Sequence, residues 1–170
     1  MNANNSLGTS SALIAAAGQG RRLGLGPKAF LTIANRPLVE IVTSTLVGIT
    51  DEVIVAAPPG FSRRTARMLP GEARVIEGSD SRPETLERLI DAASGELLLF
   101  QFVARPFASR GLYQSILEAA RRDGAATACL RTHTPIGLEH KGQIRLPPEP
   151  SLTGALQTPR AFTRVTLDQW

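Results

Sequence analysis

The sequence predicts an α/β fold in which a mostly parallel sheet is covered by helices on both faces. Three observations predict it. Short apolar runs rich in Ala, Val, Ile and Leu recur along the chain, each closed by Gly, Pro or polar residues. These runs are apolar at successive positions rather than at alternate ones, as in strands buried on both faces. Between them lie segments whose apolar residues repeat at helical spacing. Strands alternating with helices imply right-handed crossovers and parallel pairing. The 170 residues, 42% of them apolar, suffice for one domain with its own core.

The elements follow in order. Residues 1–10 (MNANNSLGTS) read as a disordered tail without the basic start of a signal peptide. The domain is placed at 11–170. Ser11–Ala17 is the first buried strand, followed by a loop over 18–27. Asn35 and Pro37 mark a helix start. Leu38, Ile41, Val42, Leu46 and Ile49 form that helix's apolar face. Glu52–Ala57 is the second strand, stopped by Pro58-Pro59-Gly60, and a short helix covers Phe61–Leu69. Ala73–Glu77 is the third strand. Ser81 with Glu84 three positions later forms a capping box, and Leu86, Leu89, Ile90 and Ala93 point inward from the helix it opens. Glu96–Gln101 is the fourth strand, Ser109–Arg121 a helix and Ala125–Leu130 the fifth strand. Residues 132–155 lose both periods and hold three prolines within Pro147–Pro150. They read as a projecting arm, because so long an unpatterned stretch is unusual inside a compact domain. Residues 160–170 begin a last helix.

Composition narrows the function. No apolar run approaches the roughly 20 residues that cross a bilayer, so no membrane partner is expected. The single cysteine, Cys129, excludes an internal disulfide and a cysteine metal cluster, and fits the reducing cytoplasm. Cys129 lies between apolar neighbours and reads as core. The net charge is +4, and 17 of the 19 basic residues are Arg, which favours anionic ligands. No basic block carries interleaved aromatics, so nucleic acid is not the expected partner. His133 and His140 have no acidic partner at metal-ligand spacing and read as surface histidines, leaving no metal-ligating side chains to name. Ser62–Arg67 reads as a solvated helix face.

The chemistry concentrates in Ala16-Ala17-Gly18-Gln19-Gly20-Arg21-Arg22-Leu23-Gly24, followed by Pro27-Lys28. This loop leaves the first strand, where open α/β sheets take their ligands. Glycines at 18 and 20 let backbone N–H groups approach one anion closely. Arg22 and Lys28 can neutralise a triphosphate, Arg as a fork and Lys as a mobile point charge. The pattern is neither a Walker loop nor a Rossmann G-x-G-x-x-G.

The stretch AAAGQGRRLGLGPKAFL resembles the signature loop of nucleotidyltransferases that activate sugars and polyols. Asn35-Arg36-Pro37-Leu38, Gly78-Ser79-Asp80-Ser81-Arg82-Pro83-Glu84-Thr85-Leu86, Ala104-Arg105-Pro106-Phe107 and Leu156-Gln157-Thr158-Pro159-Arg160-Ala161-Phe162 narrow the resemblance to the methylerythritol phosphate cytidylyltransferase family. It runs from about Ser11 to Phe162. The resemblance implies a three-layer, Rossmann-like nucleotidyltransferase fold with a mostly parallel sheet and a projecting arm. It implies transfer of CMP from CTP to a small phosphorylated acceptor, such as methylerythritol phosphate of isoprenoid precursor synthesis. Arg22 and Lys28 would stabilise the α-phosphate under attack. Ala16, Ala17, Gly18, Gln19 and Gly20 would cradle the phosphates, and Gly78, Asp80 and Thr85 would face cytosine and ribose. Arg105, Arg131 and Thr134 would meet the acceptor. Mg2+ would arrive mainly on the nucleotide phosphates, and the arm would pair two copies as a homodimer.

The sequence also departs from the family pattern. Phe102 stands where the family has an Asp that helps hold Mg2+, and a phenyl ring cannot ligate a hard cation. Arg131-Thr132-His133-Thr134 lacks the acid of the family's Arg-Asp-Thr. The family pattern continues past its Gln-Thr-Pro segment, with a lysine for the substrate phosphate that nothing here matches. The alternative reading is therefore a degenerate nucleotide-binding or partner protein of the same fold.

Overall fold

The computed structural model describes residues 9–21, 23–131, 138–145 and 154–169, with only the backbone of 138–140. Strand β1 (Ser10–Ala15) lies at the centre of the sheet, between β4 (Glu52–Ala57) and β6 (Leu97–Phe102), and is parallel to both. β5 (Ala73–Glu77) extends the parallel set beyond β4. The expected parallel α/β core is therefore present. Ser10 is 2% exposed and already part of β1, so the sheet begins one residue inside the expected tail. Residues 1–8 lie outside the described set.

Alternation along each strand builds two cores. Ala12 and Ile14 of β1, with Val53, Val55, Leu97 and Leu99, pack under helices α1 (Leu38–Leu46) and α4 (Arg110–Asp123). Leu13, Ile54, Leu98 and Phe100 face the other way, under α3 (Arg82–Ala92), whose Leu89 is fully buried. A strand apolar on every residue is thus a strand with helices on both sides. In α4, Ser109 accepts the Leu112 N–H and Gly124 closes the helix in the left-handed region. Between α1 and α3 lies the short α2 (Ser62–Ala66).

Three local expectations are corrected. Ala34 and Asn35, both with positive φ, make a two-residue turn between β2 (Thr32–Ile33) and β3 (Arg36–Pro37). Asn35 is therefore a hairpin residue rather than a helix start, and α1 ends at Leu46. Ser81 precedes α3 without capping it; Ser79 takes the partner role instead, its hydroxyl donating to Glu84 at 2.5 Å. Cys129 is exposed. Its strand, β7 (Ala125–Arg131), lies at the sheet edge, and its outer half carries the exposed Leu130 as well.

The largest departure is β10 (Gly154–Thr163), a strand in a segment where the sequence pattern predicts none. It inserts between β6 and β7 and runs antiparallel to both, giving the order β5-β4-β1-β6-β10-β7. Its register shifts between Leu156 and Arg160, so Gln157-Thr158-Pro159 bulges out of the ladder. The Thr158–Pro159 peptide is cis. α5 (Arg164–Leu167) follows directly, shorter than the expected terminal helix. Within the expected arm, β8 (Leu138–His140) and β9 (Gln143–Arg145) form a hairpin; residues 132–137 and 146–153 lie outside the described set.

Candidate functional site

Parallel pairing puts the carboxyl ends of β1, β4, β5 and β6 on one edge of the sheet, and the loops leaving them meet there. The loops leaving β1, β5 and β6 enclose a cleft of about 320 Å³. Its floor is the loop after β1. Gly20 adopts a φ of +66°, and a Cβ there would lie on the carbonyl oxygen of Gly26. Only glycine fits, and the turn it allows brings the Lys28 N–H to the Gly18 carbonyl at 3.1 Å. The half-buried Lys28 thereby faces the cleft from a 3-10 turn, Lys28–Phe30, with no ion pair among the described residues.

The opposite wall is the turn before α3. Thr85, 2% exposed, knits it together: its hydroxyl accepts the Ser79 N–H at 2.9 Å and lies 3.0 Å from the Ser79 carbonyl. Ser79 and then Arg88 donate to Glu84 and hold its carboxyl below the ordinary value. Gly78 packs behind this wall. A Cβ on it would lie 2.6 Å from the Ala17 Cβ and 2.9 Å from the Ala57 carbonyl oxygen. Across the cleft mouth, Gln19 Nε2 donates to Asp80 Oδ1 at 3.2 Å.

A second cleft, of about 450 Å³, opens beside the first and shares Arg82, Phe102 and Ala104 with it. The β10 bulge forms its far wall. The Gln157 carbonyl is fixed there by the Thr127 hydroxyl at 3.0 Å and Arg160 Nε at 3.1 Å. Gln101 Nε2 donates to the Arg105 carbonyl at 2.8 Å and holds the turn that presents Arg105.

The structure gathers most of the expected residues. Ala17, Gly18, Gln19, Gly20, Lys28, Asp80 and Thr85 line the first cleft, and Arg105 lines the second. Three residues do not fit their expected places. Ala16 is fully buried and spends its N–H on the Ala56 carbonyl. Gly78 supports the wall from behind. Arg131 lies in neither cleft, exposed at the end of the edge strand. Arg22, Thr134 and His133 lie outside the described residues, as does the side chain of His140. Sequence reasoning missed Arg82, which lines both clefts, and Arg160. Both were visible only as members of longer motifs.

The donor set does not fit a Mg2+ ion held by the protein. Of the fourteen described residues lining the first cleft only Asp80 is acidic, and it is engaged by Gln19. Phe102 closes β6 with a ring, over which the Arg82 guanidinium sits 5.0 Å from the centroid. Among the described residues no cluster of His, Cys, Asp and Glu could hold a metal. What the two clefts offer is backbone and cationic side chains, a lining suited to anions.

Comparison with known proteins gives a consistent picture. Residues 11–169 match the family described as IspD, 2-C-methyl-D-erythritol 4-phosphate cytidylyltransferase. The chain is 44% identical over 156 residues to the protein of that name from Thermus thermophilus, spanning 89% of this chain and 69% of that protein. It is 38% identical over 162 residues to the one from Deinococcus radiodurans, spanning 94% and 67%. A crystal structure of the Thermus thermophilus protein superposes with a TM-score of 0.71 at 34% identity, over 93% of this chain and 72% of that one. That of 4-diphosphocytidyl-2C-methyl-D-erythritol synthase from Anaerococcus prevotii gives a TM-score of 0.80 at 23% identity, over 94% and 71%, and speaks for the fold.

Proposed function

This chain belongs to the IspD family of 2-C-methyl-D-erythritol 4-phosphate cytidylyltransferases, and on that footing we propose that it transfers CMP from CTP to methylerythritol phosphate and releases pyrophosphate. One observation carries the reading beyond kinship. A glycine-lined cleft, whose lysine has no ion pair among the described residues, opens directly onto a second cationic cleft, so two phosphorylated ligands can meet at Arg82 and Phe102.

In this reading CTP lies in the first cleft, its phosphates on the Ala17–Gly20 backbone and Lys28. An oxygen of the acceptor's phosphate attacks the α-phosphorus. A new P–O bond forms as the bond to the β-phosphate oxygen breaks, and pyrophosphate carries away the electron pair. No protein nucleophile is needed, so the chain's part is to position the ligands and neutralise charge. Lys28, joined by Arg22, stabilises the charge that grows on the α-phosphoryl oxygens. Asp80 and the Ser79–Thr85 turn border the nucleoside. Mg2+ is assigned to the nucleotide's own phosphates, and no step here rests on it.

We further infer that the β8–β9 hairpin pairs two copies. Its Ile144 is 74% exposed, and Leu130 of β7 and Leu156 of β10, the strands from which the arm departs and to which it returns, are exposed as well, apolar side chains that a second copy would cover. A cytoplasmic location is in keeping with a lone, exposed cysteine. The test is pyrophosphate release from CTP with methylerythritol phosphate, run beside ATP, GTP and UTP. Release with CTP alone, dependent on the acceptor, is expected. CTP binding without release would leave the degenerate nucleotide-binding reading in its place.

A further inference from the structure

Among the described residues the second cleft presents three guanidinium groups and no carboxylate. Arg82, Arg105 and Arg160 are the only charged residues among its described lining. Among the described residues Arg82 and Arg105 make no side-chain hydrogen bond or ion pair. Arg160 uses only its Nε, on the Gln157 carbonyl, which leaves the terminal nitrogens of its fork for a ligand. Like charges facing one open cleft repel unless an anion lies between them. By contrast, Arg36, Arg74, Arg88 and Arg122 each meet a carboxylate.

Two further observations point to a ligand. The Thr158 hydroxyl, on a residue only 8% exposed that also lines this cleft, has no hydrogen-bond partner among the described residues. A buried hydroxyl without a partner is costly, and an acceptor oxygen would relieve it. The Phe102 ring covers one face of the Arg82 guanidinium. That stacking strips water from the face and leaves the N–H edge to bond outward, which suits Arg to phosphate.

We propose that Arg82, seated on the Phe102 ring, and Arg160 bind the acceptor's phosphate, completing with Arg105 a cradle that needs no divalent cation. The proposal rests on the transferase reading for the identity of the acceptor, but the cradle itself is a phosphate site with or without it. Positive charge from guanidiniums takes the place that a carboxylate-held metal would fill. The phosphate bound there lies at the junction of the clefts, beside the α-phosphorus it attacks.

The experiment titrates methylerythritol phosphate into the intact protein saturated with an α,β-methylene analogue of CTP, with Mg2+ and again with EDTA. Acceptor affinity is expected to be similar in both conditions. Arg160→Gln and Arg82→Gln should each weaken the acceptor at least tenfold. Arg160→Lys, which keeps the charge, should lose less. Phe102→Leu should weaken the acceptor several-fold, and Phe102→Tyr should restore it. Added salt should weaken wild-type binding more steeply than Arg160→Gln binding, a difference that a merely structural Arg160 would not produce. The analogue's own affinity should be unchanged in Arg160→Gln. Acceptor binding insensitive to both arginine substitutions, or present only with Mg2+, overturns the proposal. Should CTP fail to bind at all, the transferase reading falls separately. Inorganic phosphate titrated alone then tests the cradle, with binding to wild type and its loss in Arg160→Gln as the supporting result, and equal or absent binding in both as the opposing one.

Discussion

Gly78→Ala is a one-atom perturbation of a site it does not line. The added Cβ would lie 2.6 Å from the Ala17 Cβ, 2.9 Å from the Ala57 carbonyl oxygen and 3.4 Å from the Thr85 Cγ2. The first two distances are below normal contact, and two of the three neighbours cannot rotate away, being a methyl fixed on the backbone and a carbonyl. That carbonyl also accepts the Gly78 N–H at 2.9 Å, so separating the strands to relieve the clash lengthens this bond. Overpacking of a close-packed site costs about 1–3 kcal/mol. In a chain of this size each kcal/mol lowers the Tm by about 2–4 °C. Because the neighbours are Ala17 of the phosphate loop and Thr85 of the α3 turn, the same displacement pulls the two walls of the first cleft apart. CTP affinity should therefore fall together with stability. Urea unfolding and calorimetric CTP titration of the single variant, of Ala17→Gly and of the double variant measure both. The double variant removes the 2.6 Å contact and should regain part of each loss, showing as non-additivity between the two sites. Wild-type stability and CTP affinity in Gly78→Ala would refute the claim that this glycine is fixed by packing, as would strict additivity in the double variant.

Lys28→Ala removes a charge-assisted phosphate contact worth about 1.5–3 kcal/mol and should weaken CTP roughly ten- to a hundredfold in the same titration. Phe102→Asp places a carboxylate at the end of β6 and should make turnover more dependent on Mg2+ concentration, read as a higher-order rise in pyrophosphate release; an unfolded variant on circular dichroism would instead show that the ring packs the core. Acid stability is the fourth expectation. Asp51 is held below its ordinary value by the N–H and hydroxyl of Ser10. Burial raises Glu52, but the Ser94 N–H, the hydroxyls of Ser11 and Ser94, and Arg74 bring it below its ordinary 4.5. A carboxyl lowered in the folded state stabilises fully above its unfolded value and loses that contribution as pH falls through the folded one. The urea midpoint of the wild type should thus drop on acidification below about pH 4.5, and that of Glu52→Gln should start lower and change less over the same range.

The core was legible because each of its strands is apolar at successive positions, a pattern with few other meanings. β10 was not, because Gln157, Thr158, Pro159 and Arg160 interrupt the apolar residues and a proline argues against an interior strand. The structure resolves the conflict by pushing Gln157-Thr158-Pro159 out as a bulge, so the ladder never requires the missing N–H. Ser81 looked like the cap of α3 from spacing alone; Ser79, two residues earlier, reaches Glu84 because the chain turns sharply after Gly78. Cys129 was misplaced because its apolar neighbours say nothing about whether a strand lies at the centre or the edge. The phosphate loop was legible because glycine has few substitutes where φ is positive. Arg82 and Arg160 were not, since an arginine at a helix start or in a strand is ordinary until the fold brings three of them to one cleft.

The insertion of β10 between β6 and β7 also sets an order of assembly. Every described residue that lines the first cleft lies at or before Ala104, so a chain emerging from the ribosome carries the whole nucleotide cleft well before residues 154–163 are made. Among the described residues β7 has no neighbour in the sheet except β10. Its hydrogen bonds wait for a strand that must travel back across the edge and slot in antiparallel, a closure over long sequence separation that is slow and late. The two clefts are therefore of different age within each molecule. Opening of β10 alone would dismantle the acceptor side and leave the nucleotide side standing. Amide exchange in Leu97–Phe102 should then split, with the N–H groups bonded to β1 protected more strongly than those bonded to β10.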